Sequence, residues 1–426
     1  MAPNKISELA AIIHTETQKV DAFLISQSLP TPSFDVSCPA RLPLPPLIRE
    51  SQEAVLEASD ELVALMLGPA RSIASRPMNS WVAVQAIQRF GLATCFPVTE
   101  TSSFTEIARL CSLPESDTRR LLRFAMTFYI FHEPSPGIVA HTATSKALAE
   151  IPLLGQLAGF LSDEMWPAAT RLVDAMEKWP GSEEPTESGF SIAYSTNKSM
   201  MDVVARDPKR ALQMGGAMSI MHAGPGYSIQ YITDNFDWGD AVNGVLVDVG
   251  GARGEVSIQI ARTFPNMKFV VQDLAEVLNG ATVPEDLKGG GRLSFMAHDF
   301  FHEQPVKGAD VYLLRWILHD WSDKYAVKIL RSLTPALKKG SRILISDLCL
   351  PPPCTQSPFR NRSSRSYDIS MKQIQNAKER DADDWAQLLE YADSRLKLKS
   401  ILEPRGSTLA IICVIWEGET AFSSNV

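Results

Sequence analysis

The sequence predicts an α/β fold: a doubly wound, mainly parallel sheet with a terminal antiparallel hairpin, preceded by an all-helical, winged-helix-like domain. From about residue 241, apolar segments of strand length alternate with helical segments. Two strand patterns near the end of the chain are separated by Glu403-Pro404-Arg405-Gly406, a turn sequence. Residues 78–150 carry three helical patterns followed by a hairpin pattern. These three observations set the fold class.

The composition is that of a globular protein, with 45% hydrophobic and 21% charged residues in a chain of 426. No apolar run reaches the roughly 18 residues that a membrane-spanning helix needs. Residues 1–20 do not resemble a signal peptide, because Glu8 and Glu16 interrupt the stretch where its continuous apolar core would lie. The six cysteines form no CxxC pair, so we expect reduced thiols and no metal site. The net charge of −8 disfavours nucleic acid, and we expect a cytoplasmic protein without a membrane partner.

The patterns divide the chain into four predicted segments. They are an N-terminal helix with a Pro-rich linker (1–50), a helical winged-helix-like domain (51–150), a helical connector (151–240) and an α/β domain (241–426). Winged helices often bind DNA, but the acidic chain has no extended basic stripe, so we favour a dimerisation role for residues 51–150.

The elements of the first two segments follow from apolar spacing and from turn residues. Six prolines between Pro30 and Pro46 exclude regular structure, and Gly68-Pro69 is expected to end a helix. The helical patterns cover 4–28, 51–67, 80–90, 104–110 and 117–128, and the hairpin covers 131–133 and 138–141.

In the α/β domain the strand patterns are largely continuous apolar runs, as buried parallel strands require. They cover 244–249, 268–272, 292–296, 309–314 and 342–346, with the terminal pair at 395–401 and 408–416. Helical patterns lie at 255–263, shortly after Leu274, and at 323–338. The terminal hairpin puts an antiparallel strand into the sheet, which an ordinary dinucleotide dehydrogenase lacks.

A glycine turn follows the first strand of this domain, in VLVDVGGARGE (245–255). The glycines that permit a tight turn and the close approach of a ligand are Gly250, Gly251 and Gly254. Asp248 precedes the turn, and Asp273 ends the next strand, where a carboxylate can accept from both ribose hydroxyls of an adenosine. Ala252 breaks the G-x-G-x-x-G pattern, and Asp248 would repel a pyrophosphate but could face the ammonium group of S-adenosylmethionine (SAM). A tight turn without a ligand remains the alternative.

Two residues after the third strand extend the predicted cofactor site. Asp299 could accept from an adenine amino group, and Phe300 could pack on the ring. An N-cap and a core aromatic are the alternative interpretation of these two residues.

A histidine stands where the fourth strand runs into LLRWILHDWSD (313–323). His319 lies past the carboxyl end of that strand, Asp347 ends the fifth strand and Glu379 precedes a helix. One of these two carboxylates can orient the imidazole and fix its tautomer, and both carboxylates can stabilise the imidazolium, as a general base requires. A phenol with a pKa near ~10 lies about 3.5 units, or about 5 kcal/mol, above histidine, and an aliphatic alcohol lies far higher. We therefore predict an aromatic hydroxyl as the proton donor; the alternative is that His319 is an ordinary buried polar residue.

These segments resemble the class I, caffeate-type O-methyltransferases, and more closely the fungal secondary-metabolite branch typified by sterigmatocystin O-methyltransferases. The resemblance covers about residues 60–416. The matching motifs are VDVGGARG (247–254), FVVQDL (269–274), AHDFF (297–301), GADVYLLRWILHDWSD (308–323), SRILISDLCLP (341–351), NAKERDADDW (376–385) and AHTATSKAL (140–148).

The resemblance implies a homodimer that methylates a hydroxyl of a small aromatic or polyketide molecule with SAM, the N-terminal domain closing part of the partner's active site. The positions that match SAM contacts are Gly250, Asp273, Asp299, Phe300 and Arg315. His319 matches the catalytic base, and Asp347 and Glu379 match the two acids that flank it. Phe190, Met218 and Met221 fall where family members line the substrate pocket.

The sequence departs from the family at several positions. Arg315 stands where plant members carry lysine, and Asp347 is one methylene shorter than the usual glutamate. Arg380-Asp381 replaces the usual Arg-Thr, which indicates a change in helix capping. The segment 351–366 is either a lid or a solvated disordered loop.

Three other functions compete with methyl transfer. Some members of this branch have lost the histidine and use bound SAM as a fixed positive charge for dehydration or pericyclic chemistry; the presence of His319 argues against this. A catalytically silent, SAM-binding scaffold subunit is a second possibility. Ala252 and the terminal hairpin disfavour the third, an NAD-dependent oxidoreductase.

Overall fold

The computed structural model describes residues 4–419, so the outer ends of the predicted segments 1–50 and 241–426 lie outside the described residues. The chain divides into two compact units, each discontinuous in sequence. Unit 1 comprises 1–167, 203–220 and 357–363; unit 2 comprises 168–202, 221–356 and 364–426. Within residues 4–419, no helix combines the length and the apolar character that crossing a bilayer requires.

The helices are numbered in chain order. They are α1 (Lys5–Ser26), α2 (Pro46–Ala74), α3 (Ser80–Phe90), α4 (Phe104–Leu110), α5 (Glu115–Met126), α6 (Ala143–Glu150), α7 (Pro152–Phe160), α8 (Trp166–Thr170), α9 (Leu172–Lys178), α10 (Gly189–Ala193), α11 (Met200–Ala205), α12 (Pro208–His222), α13 (Gln230–Asn235), α14 (Glu255–Thr263), α15 (Asp323–Leu333), α16 (Pro358–Gln375) and α17 (Ala382–Ala392).

The strands are numbered in the same way. They are β1 (Thr101–Ser103), β2 (His132–Ser135), β3 (Ile138–Ala140), β4 (Val245–Val249), β5 (Lys268–Asp273), β6 (Leu293–Ala297), β7 (Val311–Arg315), β8 (Arg342–Ser346), β9 (Cys349–Leu350), β10 (Arg380–Asp381), β11 (Leu396–Leu402) and β12 (Ile411–Trp416).

Unit 1 contains helices α3, α4 and α5 and a small antiparallel sheet in the order β1-β3-β2, of which β1 lies between α3 and α4 in the chain. The hairpin of β2 and β3 lies within a residue or two of its predicted position. The helices and the sheet share one apolar core, in which Leu92, Ile107, Leu122 and Val139 have no exposed surface. Local apolar spacing therefore predicted α3, α4, α5 and the hairpin within two residues, whereas β1 was not predicted.

Helix α2 does not end where the sequence predicts. Gly68 adopts φ 68° and ψ 172°, which kinks the chain, and the helix then resumes and continues to Ala74. Pro69 suits the first turn after the kink because it lacks an amide hydrogen that such a turn leaves unpaired. The expected end at Gly68-Pro69 is thus a kink between two helical stretches.

Unit 2 contains a seven-stranded mixed sheet in the order β11-β12-β8-β7-β4-β5-β6. Strands β8, β7, β4, β5 and β6 are parallel, and β12 is antiparallel to β8. Apolar clusters pack against this sheet and include fully buried residues of its central strands, among them Leu246, Val247 and Leu313. The α/β class and the antiparallel terminal hairpin are confirmed.

The register of the parallel strands brings their carboxyl ends to one edge. Val249 lies opposite Gln272, and Arg315 lies opposite Ser346. The residues that follow, Gly250, Asp273 and Asp347 among them, therefore meet at the same edge of the sheet. In open α/β sheets this is the edge at which ligands bind.

Three predicted details of the segment 241–426 are wrong. No α-helix follows Leu274: the chain makes turns and two short 3-10 segments, at Glu285–Leu287 and Gly289–Gly291, in a stretch that contains Gly280 and Pro284. Helix α15 ends at Leu333, followed by a 3-10 turn, rather than at residue 338. The disordered-loop interpretation of 351–366 fails for its second half, because α16 begins at Pro358.

Candidate active site

The glycine turn after β4 has a conformation that only glycine tolerates well. Gly250 adopts φ +74°, and a Cβ atom there would lie 2.4 Å from Cδ1 of Ile317 and 3.7 Å from Cε1 of Phe300. Gly254 also has positive φ, at 81°, and stands immediately before α14. The turn is therefore in close contact with chain segments that follow β6 and β7.

Asp248 lies beneath this turn and is only 2% exposed. Its Oδ2 accepts a hydrogen bond from the Ser257 hydroxyl at 2.7 Å, and a Cβ on Gly251 would lie 2.5 Å from its Cγ. Burial raises the pKa of Asp248 to about 6, although the hydrogen bond from Ser257 and the charge of Arg315 both act to lower it. A buried carboxylate with a raised pKa would be stabilised by a nearby cation.

The three predicted adenosine contacts lie at or just past the ends of β5 and β6. Asp273 accepts from the amide of Ala252 in the glycine turn at 2.9 Å and from the amide of Leu274 at 2.8 Å. Asp299 accepts from the amide of Phe301 at 2.9 Å, as an N-cap would. Phe300 is half-buried and packs against the apolar cluster on one face of the sheet. Each carboxylate keeps lone pairs for a ligand.

Arg315, at the end of β7, extends the charged part of the same edge. Its Nη2 donates to the carbonyl oxygen of Tyr227 at 2.7 Å, and its Nη1 donates to the Ser346 hydroxyl at 3.3 Å. Burial lowers the pKa of Arg315 to about 10, although the carboxylates of Asp347 and Asp248 act in the opposite direction. The guanidinium remains positively charged at neutral pH.

His319 occupies a 3-10 turn, Leu318–Asp320, directly past the carboxyl end of β7. The residue is 6% exposed, and its Nδ1 lies 2.9 Å from Oε1 of Glu379, itself 2% exposed. Its Nε2 lies 3.5 Å from Oδ1 of Asp320. The Trp316 ring stands edge-on to the imidazole, with 4.6 Å between ring centroids. The hydrogen bond to Glu379 therefore occupies Nδ1 and leaves Nε2 as the nitrogen that can accept a proton.

The carboxylates around His319 change its basicity. Burial alone would lower the pKa of the imidazole, but Asp320, Glu379 and Asp347 more than offset this and raise it to about 9. Burial also raises the pKa of Asp320. His319 is thus a much stronger base than a free histidine.

Asp347 is fully buried but does not hold the imidazole as a flanking acid would. Its Oδ1 accepts from the backbone amide of Trp316 at 2.8 Å. Trp316 has φ +57°, an unusual conformation for a large side chain, so this hydrogen bond supports a strained residue just before the His319 turn. Burial raises the pKa of Asp347 to about 6. Its effect on His319 is electrostatic rather than through a hydrogen bond.

The three predicted substrate-pocket residues fall in different surroundings. Phe190 has no exposed surface and packs on Tyr194, with 4.5 Å between ring centroids. Met218 and Met221 are both half-buried, and they belong to units 1 and 2 respectively.

Two residues of this region were assigned no role beside His319 from the sequence. Asp320 carries the carboxylate nearest to Nε2, and its place directly after the histidine was an available signal. Arg380 is fully buried beside Glu379 and donates to backbone carbonyls of the same turn. Asp381 caps α17 by accepting from the amide of Asp384, which agrees with the expected change in helix capping.

The cysteines and acidic residues do not form a further centre in the part of the chain that the structure describes. All six cysteines are free thiols there. No group of three or more His, Cys, Asp or Glu residues within 4–419 is arranged to hold a metal ion.

Comparison with known proteins identifies the family. Residues 191–394 match the model of the O-methyltransferase domain. The chain is 40% identical to O-methyltransferase kk1A of Curvularia clavata, over 98% of this chain and 99% of that one. It is 36% identical to chlorophenol O-methyltransferase of Trichoderma longibrachiatum, over 98% of this chain and 91% of that one.

A solved structure shares the fold at lower identity. The crystal structure of OxaC superposes with a TM-score of 0.76 at 21% sequence identity, covering 96% of this chain and 98% of that one. At this identity the likeness concerns the fold alone. The near full-length matches to the curated relatives show that the chain belongs to the O-methyltransferase family.

Proposed function

We propose that the chain transfers the methyl group of SAM to a hydroxyl, phenolic in nature, of a small aromatic or polyketide secondary metabolite, with His319 as the general base. The observation that carries the proposal is the hydrogen bond of 2.9 Å between Nδ1 of His319 and Glu379 at the carboxyl edge of the sheet. The family membership makes methyl transfer to oxygen the expected chemistry.

The residues at the sheet edge fit SAM. Gly250 leaves space that a Cβ would fill, so a ligand can approach the backbone of the turn. Asp273 suits the ribose hydroxyls, and Asp299 with Phe300 suits the adenine. The carboxylate of Asp248 suits a positively charged group, and the guanidinium of Arg315 suits a carboxylate. Bound SAM would supply an electrophilic methyl group on a sulfonium.

His319 would remove the proton from the substrate hydroxyl. With Nδ1–H donated to Glu379, Nε2 is the basic nitrogen, and Glu379 stabilises the imidazolium that forms. Once protonated, Nε2 faces Asp320 at 3.5 Å. Against a phenol of pKa near ~10, a base of pKa about 9 leaves a gap of about one unit, or roughly 1.4 kcal/mol. An aliphatic alcohol would leave a far larger gap, which favours a phenolic substrate.

The same site could serve a reaction without methyl transfer, because the fold and the cofactor do not by themselves determine the chemistry. A pericyclase or dehydratase that uses SAM as a fixed charge, and a silent scaffold subunit, are the alternatives. The three functions differ in the mass of the product. Methyl transfer adds one methyl group, dehydration removes water, a pericyclic reaction gives an isomer and a scaffold gives no product.

We also propose that unit 1 contains a winged-helix-like dimerisation domain. Helices α1 and α2 pack on each other and leave several large apolar side chains exposed, which is typical of a surface that a second copy covers. Ile25, Leu47, Val63, Met66 and Ile73 are each more than half exposed. The net charge of the chain and these apolar side chains favour a protein partner over DNA.

The test is incubation of the purified chain with methyl-labelled SAM and a panel of phenols, with mass spectrometry of the products. We expect a gain of one methyl group. His319→Gln should abolish turnover while SAM still raises the melting temperature, and exposed His132 provides the control variant His132→Gln. A product of unchanged mass, or full activity in His319→Gln, would refute the proposal.

A further inference from the structure

Arg380 is the one arginine of unit 2 whose side chain has no exposed surface among the described residues. Its Nη1 donates to the carbonyl oxygen of Leu318 at 2.8 Å, and its Nη2 donates to that of Trp321 at 2.8 Å. Its Nε donates to Oδ1 of Asp323 at 2.9 Å. All three guanidinium nitrogens are therefore used, and two of them hold backbone oxygens on either side of His319.

These carbonyls belong to the first residue of the 3-10 turn and to the residue that directly follows it, and the turn has little hydrogen bonding of its own. A short 3-10 turn leaves most of its carbonyl groups without an internal partner. Gln375, 2% exposed, donates to the carbonyl oxygen of Asp320 at 3.2 Å. Three of the four carbonyls from Leu318 to Trp321 thus accept hydrogen bonds from the segment that precedes α17.

The same segment holds the ring as well as the backbone. Glu379 contacts Nδ1 of His319, and Arg380, the next residue, holds the turn on which His319 stands. Arg380 lies in β10, which pairs with Cys349 in β9, two residues past Asp347. The ring and its backbone are therefore fixed by one short, buried stretch of chain.

We propose that Arg380 is a positioning residue that sets the direction in which His319 faces the substrate hydroxyl; this inference rests on the proposed methyl transfer. The planar fork of a guanidinium can hold two carbonyls at a fixed separation, whereas an ammonium has one donor nitrogen. The geometry thus assigns to Arg380 a role that a lysine with the same charge cannot fill.

Arg380→Lys removes the planar guanidinium, which holds the two carbonyls, but keeps the positive charge. We expect kcat to fall by about 100-fold, because a small misplacement of a catalytic group has an effect of this order. The KM and the affinity for SAM should stay unchanged, because Arg380 touches none of the proposed cofactor residues. Gln375→Leu removes only the contact to Asp320 and should lower kcat in the same direction by less.

Arg342→Lys is the matched control. Arg342 also donates to two successive backbone carbonyls, those of Asp237 and Trp238, but it begins β8, at the opposite end from Asp347. This variant should keep the kcat of the wild type. If Arg380→Lys keeps full kcat, or if it loses SAM binding and thermal stability together with activity, the positioning role is wrong.

A second measurement does not depend on turnover. In protein labelled at the histidine rings, nuclear magnetic resonance should show a strongly hydrogen-bonded Nδ1 proton for His319, assigned by its absence in His319→Gln. Arg380→Lys should weaken or remove this signal. If the wild type methylates no phenol, the proposed function fails, and an unchanged signal in Arg380→Lys would separately overturn the role of Arg380.

Discussion

At the scale of single residues, the main feature is the number of carboxylates around one imidazole. Asp320, Glu379 and Asp347 all favour the protonated form of His319, and together they outweigh the effect of burial. A strong base is useful against a phenol, but with a pKa of about 9 the ring carries a proton at neutral pH in the free protein. A base must be neutral to act, so activity should depend on pH.

We expect kcat/KM to rise with pH and to level off near pH 9, since this parameter reports the free enzyme. Glu379→Gln removes one of the carboxylates that raise the pKa of His319, so the rise should move to lower pH and the plateau should fall. The measurement is methyl transfer from about pH 6 to about pH 10, corrected for the separately measured titration of the phenol near the upper end of this range. Glu390→Gln, at an exposed carboxylate, should leave the profile unchanged. A wild-type profile that levels off near ~6.5, the value of a free histidine, would contradict this prediction.

The hydrogen bond from Trp316 to Asp347 leads to a second prediction. Asp347→Asn keeps an acceptor oxygen for the Trp316 amide, whereas Asp347→Ala leaves the strained residue unsupported. We expect Asp347→Ala to lower kcat by roughly 10-fold to 100-fold, with a clearly smaller loss in Asp347→Asn. Steady-state kinetics of the two variants decide this. Equal losses would mean that the negative charge of Asp347, and not its hydrogen bond, matters to His319.

At the scale of elements, the sheet positions the site because its parallel strands end at one edge. The sequence predicted β4, β5, β6, β7 and β8 within two residues at each end, since buried strands are continuous apolar runs. It failed where apolar content is low: α16 begins in a polar stretch rich in arginine and serine, and no helix was predicted over 358–375. The sequence also placed Asp347 at a strand end, but it could not show whether His319 or the Trp316 amide is its partner.

The glycine turn allows a test of the cofactor site. In Gly250→Ala the new Cβ would lie 2.4 Å from Ile317, in addition to the strain at φ +74°. Gly280 has φ +80° and nothing within 4 Å, so Gly280→Ala introduces comparable backbone strain without a steric clash. We expect Gly280→Ala to lose about 1–2 kcal/mol of stability from backbone strain and Gly250→Ala to lose more because of the added clash, but only Gly250→Ala should lose the rise in melting temperature on adding SAM. If Gly250→Ala binds SAM like the wild type, this turn is not the cofactor site.

At the scale of the whole molecule, the proposed dimer is tested on helix α2. Val63 and Met66 lie one turn apart before the kink and are 57% and 65% exposed. Replacing both with glutamate places charges in the proposed interface, so we expect light scattering to change from the mass of a dimer to that of a monomer. Tyr391→Glu, at an exposed residue of α17 in unit 2, should leave the mass unchanged. A monomeric wild type would refute the dimer.

Unit 1 is assembled from three separate stretches of chain, and this has a consequence for its synthesis on the ribosome. Glu164, 1% exposed, forms a bidentate ion pair with Arg210, and Asp60 forms a bidentate ion pair with Arg362. The nascent N-terminal half therefore holds a carboxylate without its cation until residue 210 emerges, and the last piece arrives only with residues 357–363. Until then unit 1 lacks these ion pairs, and an incompletely folded unit is open to chaperones, so fragments truncated before residue 357 should fold less stably than the intact chain.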